Sequence, residues 1–360
     1  MRTHPIAVLA GDGIGVEVTP VAQRVLERAI APHDGRFEWR EYPWGTDYYR
    51  AHGRMMPVDA IETLADADAV LLGAVGDPEV SDVETLWGML IPIRREFDQY
   101  INLRPVRTLP GVRSPLAGRP NIDLVIVREN VEGEYSAVGG RSYAGTSYEA
   151  AYQQALFSRR GIARAAEFAA QLARRRSGSL VSATKSNGII HTMTLWDEVV
   201  RDVVGGYPGL ELESVLIDAL AARMVQHPDR LDVIVASNLF GDILSDLAAA
   251  AVGSIGIAPS ANLNPEGRFP SMFEPVHGSA PDIAGLGIAN PIGQIWAGAM
   301  MLEHLGYEAA AREVVGAVER VLESGISTRD LGGTAGTTEV GEAVLGELVN
   351  APAPRLIADC

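Results

Sequence analysis

The stretch AVLAGDGIGVEV, residues 7–18, is where the reading of the fold starts. An apolar run enters a glycine turn and leaves in a helical spacing, the opening of a strand–turn–helix unit. A dinucleotide-binding turn of the Rossmann kind needs G-x-G-x-x-G and an acidic residue about 20 positions further on. Here Gly11 and Gly13 are in place, but Val16 stands where the third glycine belongs and no strand-end acid follows at that distance. The turn opens a strand–turn–helix unit of an α/β fold but does not carry the fingerprint of a Rossmann fold.

Outward from this unit the alternation continues. Strands are predicted at 6–10, 69–75, 122–128, 179–184, 214–218 and 231–237. Several are almost continuously apolar, as strands covered on both faces are. Helices are predicted near 15–31, 84–99, 158–176, 190–204, 240–252, 291–305 and 308–323. The aromatic, glycine-rich stretch VGGRSYAGTSYEAAYQQ (138–154) breaks the alternation. It fits an arm that pairs with another subunit and equally an ordinary exposed hairpin.

With 360 residues the chain suggests two domains or one large α/β unit. A net charge of −16 argues against nucleic acid as a partner, since a phosphate binder needs a basic face. The single cysteine, Cys360, permits no intrachain disulfide. Neither a signal-peptide pattern nor a membrane-length apolar run is present. A soluble cytoplasmic protein with no membrane partner is expected.

Candidate chemistry concentrates in a few segments. In SNLFGDILSDLAAA, Asp242 and Asp246 lie four apart and share a helix face. Two such carboxylates suit a hard divalent cation, or simply favour a helix N-terminus. Arg94, Arg104 and Arg128 each stand in apolar surroundings. Together they would grip a dicarboxylate through guanidinium forks; separately they would be three salt bridges. Lys185 follows a strand and is either a base or a solvated lysine. Asp218 is a third metal carboxylate or the N-cap of ALAARMVQ. Tyr135 is a proton donor or a core tyrosine. In FEPVHGSAPDIAGLGIANP (273–291), Asp282 would hydrogen-bond ribose hydroxyls and repel a 2′-phosphate, unless the loop is a plain connector.

GDGIG, INLRP, RENVEGEY, TKSNG, SNLFGDILSD and EPVHGSAPDIAG with GIANP occur in this order. Together they make the whole chain resemble the metal-dependent β-decarboxylating dehydrogenases, the isocitrate/isopropylmalate dehydrogenase family. The resemblance implies two open α/β domains: residues 1–98 and 252–360 as a large NAD-binding domain, and 99–251 as a small domain with the dimer interface and arm. It implies carboxylate binding by Arg94, Arg104 and Arg128, with Leu90 beside the substrate. Lys185 would handle the hydroxyl proton, and Tyr135 would protonate the enol once CO2 has left. Asp218, Asp242 and Asp246 would hold Mn2+ or Mg2+, with K+ as a further candidate ion. Ile14, Asn187, His277, Gly278, Ser279, Ala280, Asp282, Ile283 and Asn290 would contact the cofactor. The pair Asp282-Ile283 points to NAD. Lys185 and Asp218 would reach into a neighbouring subunit's site, making the working unit a homodimer.

Within the family, the helix TLWGMLIPIRR (85–95) would face the C3 substituent. It offers Trp87, Met89, Leu90 and Ile91 and no serine, which disfavours a third carboxylate. Trp87 is expected to fill the space of an isopropyl group. RENVEGEYS and the long PSANLNPEGRFPSMFEPVHG stretch look like the tartrate/D-malate branch. Oxidative decarboxylation of D-malate to pyruvate, with tartrate as a further substrate, is the expected activity. The alternatives are 3-isopropylmalate oxidation and a non-catalytic regulatory subunit.

Overall fold

A computed structural model describes residues 2–118 and 120–350; Cys360 lies outside the described residues. Twelve strands are formed: β1 Arg2–Gly11, β2 Gly35–Glu41, β3 Ala69–Ala74, β4 Ile101–Arg107, β5 Asp123–Glu129, β6 Gly139–Ser142, β7 Ala150–Gln153, β8 Ser179–Thr184, β9 Glu211–Leu216, β10 Val233–Ala236, β11 Pro259–Leu263 and β12 Ser271–Pro275. Ten of them build one sheet in the order β2-β1-β3-β12-β11-β4-β5-β10-β8-β9, and β6 pairs only with β7. Pairing is parallel toward both edges and antiparallel at β12–β11, β11–β4 and β4–β5 in the middle. The antiparallel β4–β11 pair is the seam where segment 99–251 meets the rest of the sheet.

β3, β5, β8 and β10 are almost wholly buried and read as apolar runs, while the edge strands β2 and β9 keep exposed polar residues. Helix Arg159–Arg175 shows why the packing is close: it turns Ile162, Ala165, Ala166, Ala169, Ala170 and Ala173 inward, and Arg159, Arg160, Arg174 and Arg175 outward. Its N-cap Ser158 accepts from the Gly161 amide and donates to Glu132.

The opening turn is held by its own chain. Gly11 and Gly13 have φ of +70° and +55°, which favours glycine. A Cβ on Gly13 would lie 2.1 Å from the Ser279 carbonyl oxygen, to which the next amide, Ile14, donates at 2.8 Å. Asp12 takes the Thr46 amide and hydroxyl, both at 2.7 Å, and the Gly76 amide at 2.9 Å. This aspartate ties three loops together, a role its place between glycines did not disclose.

Several expectations shift. The helix expected at 240–252 begins at Asn238, so Asp242 lies in its second turn and does not mark its start. Asp218 closes no strand and caps no helix; it is the second residue of Ile217–Gln226, whose N-cap is Leu216. The helix expected at 84–99 comprises Asp82–Thr85, a π turn at Leu86–Leu90 and Ile91–Glu96. Stretch 138–154 is a hairpin whose strands are exposed throughout. No helix among the described residues is long and apolar enough to cross a membrane.

Candidate active site

Arg104 lies inside β4, Arg128 is the penultimate residue of β5, Arg94 is on Ile91–Glu96 and Glu274 is on β12. With Tyr135, Asn238, Asp242, Leu90 and His277 they line one cavity of about 230 Å3. Helix Asn238–Val252 approaches β5 closely because residue 241 is glycine; a Cβ there would stand 2.6 Å from the Arg128 Cβ. Ser237 caps that helix. Glu134 accepts from the Ser237 hydroxyl at 2.8 Å and the Leu239 amide at 3.1 Å. It pins the loop carrying Tyr135 to the helix carrying Asp242, and its charge suits a helix N-terminus.

The guanidiniums are held by neutral and acidic partners at once. Arg128 donates through Nη1 to Asp242 Oδ1 at 2.5 Å and through Nε and Nη2 to Asn238 Oδ1 at 3.1 and 2.7 Å. Arg104 donates to Asn102 Oδ1 at 2.7 Å and Ser245 Oγ at 2.6 Å, and lies 3.3 Å from Asp242 and 3.5 Å from Asp246. Arg94 pairs with Glu274 at 2.8 Å and keeps a buried Nε with no partner. Burial, with the neighbouring Arg104, pushes Arg128 down to about 10, still charged at neutral pH. Burial pushes Asp242 up, but Arg128, Arg104, the Tyr135 hydroxyl and Arg94 outweigh it and hold its carboxyl below the usual range. Tyr135 donates to Asp242 Oδ2 at 2.9 Å; burial and that carboxylate raise its hydroxyl pKa. Burial raises Asp246, against Arg104 and with Asp242.

Lys185 and Asp218 are elsewhere. They pair with each other at 2.5 Å, and neither lines the arginine pocket. The lysine holds Asp218 below the ordinary carboxylate range. Among the described residues no group of three His, Cys, Asp or Glu side chains could hold a metal. Asp242 and Asp246 are hard oxygen donors on one helix face and suit Mg2+ or Mn2+ in charge and type. Among the described residues no third such side chain joins them.

The candidate cofactor loop is built from both ends of the chain. Ile14 packs with Val18 and Ala289 beneath Ala280 and Ile283. Ala280 holds φ at +40°, an unusual angle for a residue with a Cβ. Glu17 accepts from the Gly285 amide, and from the Gly287 amide at 2.9 Å, fastening the loop to the first helix. His277 is buried, its pKa pushed down by that burial, and its Nε2 has no partner. A neutral imidazole with a free nitrogen at the pocket wall fits a hydrogen bond to a bound cofactor. Asp282 is exposed on the loop, as are Gly278 and, in the turn after β8, Asn187. Asn290 is buried and spends its side chain on Asp330 at 2.9 Å and the Ile292 amide at 3.0 Å.

Trp87 does not fill the pocket. Its ring lies under the Arg95 guanidinium at 5.1 Å and borders the groove beside the hairpin, while Leu86 and Leu90 face the arginines. The π turn explains the change, because its extra residue rotates the helix face. Asn238, Asn102, Glu134 and Glu274 were not singled out from sequence. Their neighbours were, and a buried arginine itself implies such acceptors.

The model of the family described as isocitrate/isopropylmalate dehydrogenase matches residues 5–344. A probable tartrate dehydrogenase/decarboxylase of Bacillus subtilis (strain 168) is 51% identical over 350 residues, covering 97% of this chain and 99% of that one. D-malate dehydrogenase [decarboxylating] of Escherichia coli (strain K12) is 51% identical over 354 residues, covering 96% and 98%. The crystal structure of isocitrate dehydrogenase from Methylococcus capsulatus superposes with a TM-score of 0.88 at 34% identity, covering 96% and 99%. A match over nearly the whole length, on a fold shared with a solved member, places this chain in the isocitrate/isopropylmalate dehydrogenase family.

Proposed function

We propose that the protein carries out NAD-dependent oxidative decarboxylation of D-malate to pyruvate and CO2, aided by Mn2+ or Mg2+, with tartrate as an additional substrate. The charge of the pocket carries this reading. Four guanidiniums, Arg94, Arg95, Arg104 and Arg128, line it against two carboxylates, Asp242 and Glu274. A dicarboxylate neutralises the surplus and matches the forks. The names of the relatives add that this kind of substrate is used by similar chains.

A divalent cation at the aspartates would lower the substrate hydroxyl pKa and steady the enolate, and a nicotinamide would accept the hydride. The chain's own groups do the rest. Arg94, Arg104 and Arg128 bind and orient the carboxylates. Lys185, paired with an acid and away from this pocket, would take the hydroxyl proton in a second copy's site, with Asp218 beside it. Tyr135 would return a proton to the carbon that loses CO2. The exposed hairpin, with Tyr143, Tyr148 and Tyr152 between 61% and 80% exposed, supplies an apolar surface for that homodimer. Residues 1–98 and 252–360 would move as one body against 99–251 in a cytoplasmic enzyme, with K+ a further candidate ion.

One observation favours 3-isopropylmalate instead. With Trp87 turned away, Val75, Leu86, Leu90 and Val131 leave an apolar wall beside the arginines. The test is initial-rate absorbance of reduced cofactor with Mn2+, with NAD and with NADP, on D-malate, tartrate, 3-isopropylmalate and isocitrate. Highest kcat/KM with D-malate and NAD supports the proposal. Highest kcat/KM with 3-isopropylmalate replaces it with the second reading, and no turnover of any acid points to a non-catalytic subunit.

A further inference from the structure

Behind the arginine pocket, at the seam of the sheet, lies a buried cluster of amides. Asn262 on β11 and Asn102 on β4 are fully buried, and Asn130 just after β5 nearly so. Asn262 Oδ1 accepts from Asn102 Nδ2 and Asn130 Nδ2, both at 2.9 Å. Its Nδ2 donates to Glu274 Oε1 at 2.7 Å and to the Met272 carbonyl at 3.3 Å. Both lone pairs and both hydrogens of this amide are used, so it has no second orientation of equal energy. Glu274 Oε1 in turn receives Arg94 at 2.8 Å, and Asn102 Oδ1 receives Arg104 Nε at 2.7 Å. A continuous path runs Arg94–Glu274–Asn262–Asn102–Arg104, and Asn262 is its midpoint.

We propose that Asn262 is a positioning residue that sets the spacing between Arg94 and Arg104, and through it the carboxylate-to-carboxylate span the pocket accepts. This rests on the pocket being the hydroxyacid site. Asn262 touches no substrate itself; it acts by fixing two groups on opposite sides of the seam. The charged groups facing it are Glu274 from β12 and, one bond further out, Arg94 and Arg104.

Asn262→Asp tests it. The new side chain keeps an oxygen for Asn102 and Asn130 but, when ionised, cannot donate to Glu274 and repels it. In the complete enzyme with NAD and Mn2+, KM for D-malate should rise about tenfold at about pH 8 while kcat changes less. Toward about pH 6 the buried carboxyl takes up a proton and regains the donor, so the variant-to-wild-type KM ratio should fall. Asn262→Ser, smaller and neutral, should raise KM at both pH values. A lower melting temperature with KM within about twofold of wild type in both variants overturns the proposal and leaves a merely structural amide. A KM ratio for Asn262→Asp that does not fall with pH overturns it too. If the wild type turns over none of the acids, the pocket reading fails and this inference with it. If the wild type is active and the variants match it, only this inference fails.

Discussion

Replacing Arg128 by lysine separates a carboxylate-binding arginine from a simple counter-ion. Arg128 is 3% exposed and donates three bonds from two edges of one plane, two to Asn238 Oδ1 and one to Asp242 Oδ1. Lysine keeps the charge but loses the plane, so its ammonium can satisfy Asp242 or Asn238 and leaves no fork for a ligand. One charge-assisted hydrogen bond is worth about 1.5–3 kcal/mol. Losing one from the bound substrate should raise KM about 10- to 150-fold. The stranded Asn238 carbonyl should also cost about 1–2 kcal/mol of stability. Initial rates at saturating NAD and Mn2+ over a D-malate series give KM, and urea unfolding of the same preparation gives the stability term. A folded Arg128→Lys enzyme with KM within about threefold of wild type would refute the argument, because it would show that Asp242 needs only a positive charge.

The remaining predictions concern pH, the opening turn and the subunit arrangement. Burial raises the Glu129 carboxyl from 4.5 to about 7, with the Val131 and Glu132 amides opposing. The folded state then binds the proton more tightly than the unfolded chain, so stability falls as pH rises from about 4.5 to 7 and is level above. The loss should reach about 3 kcal/mol, and Glu129→Gln should flatten it; parallel urea-unfolding curves against pH for the two proteins would defeat the burial argument. Gly13→Ala meets both a positive φ and the Ser279 carbonyl, and should cost about 2 kcal/mol or more by thermal or urea unfolding. Unchanged stability would mean the turn and loop can part freely. If two copies share each site, mixing and reannealing inactive Lys185→Met with inactive Arg128→Met chains should restore about a quarter of wild-type activity, since random pairing makes half the dimers mixed, each with one intact site. No recovery in a verified heterodimer would place Lys185 in its own chain's site.

The fold was legible where a strand or helix is uniform in character. Helix Glu308–Glu323 and strand Ser179–Thr184 match the expected bounds because each is a clean periodic or apolar run. β2, GRFEWRE, went unread because it is an edge strand with alternating polar residues. β11 and β12 hid behind Ser260, Asn262 and Ser271, which look like loop residues and are fully buried. Their polarity makes sense only in pairs that sequence cannot align, such as Asn102 with Asn262, 160 positions apart. The same holds for the candidate site. Charged residues in apolar surroundings were visible as anomalies, while the neutral amides and the glycine at 241 that make them tolerable were not. Trp87 failed for a different reason: a π turn shifts the face of a helix by an amount no residue pattern announced.

The opening turn and loop 277–290, far apart in sequence, are bound directly to each other. Ile14 donates to Ser279, Glu17 holds Gly285 and Gly287, and Gly13 admits no side chain between them. Loop 277–290 must therefore move with β1 and the first helix. Arg104, Arg128, Tyr135 and Asp242 ride on the other side of the seam. Between the two halves the sheet has only the β4–β11 ladder, with three residues paired on each strand. Any closing of loop 277–290 onto the arginines would bend that ladder, and the amide cluster at Asn102, Asn130 and Asn262 sits beside it. A hydrogen-bonded cluster whose central amide, Asn262, has every donor and acceptor engaged resists shear better than an apolar seam, whose contacts have no direction. If the halves moved, Arg94, tied to Glu274, and Arg104, tied to Asn102, would keep their spacing, and a substrate would meet the same pair of forks before and after.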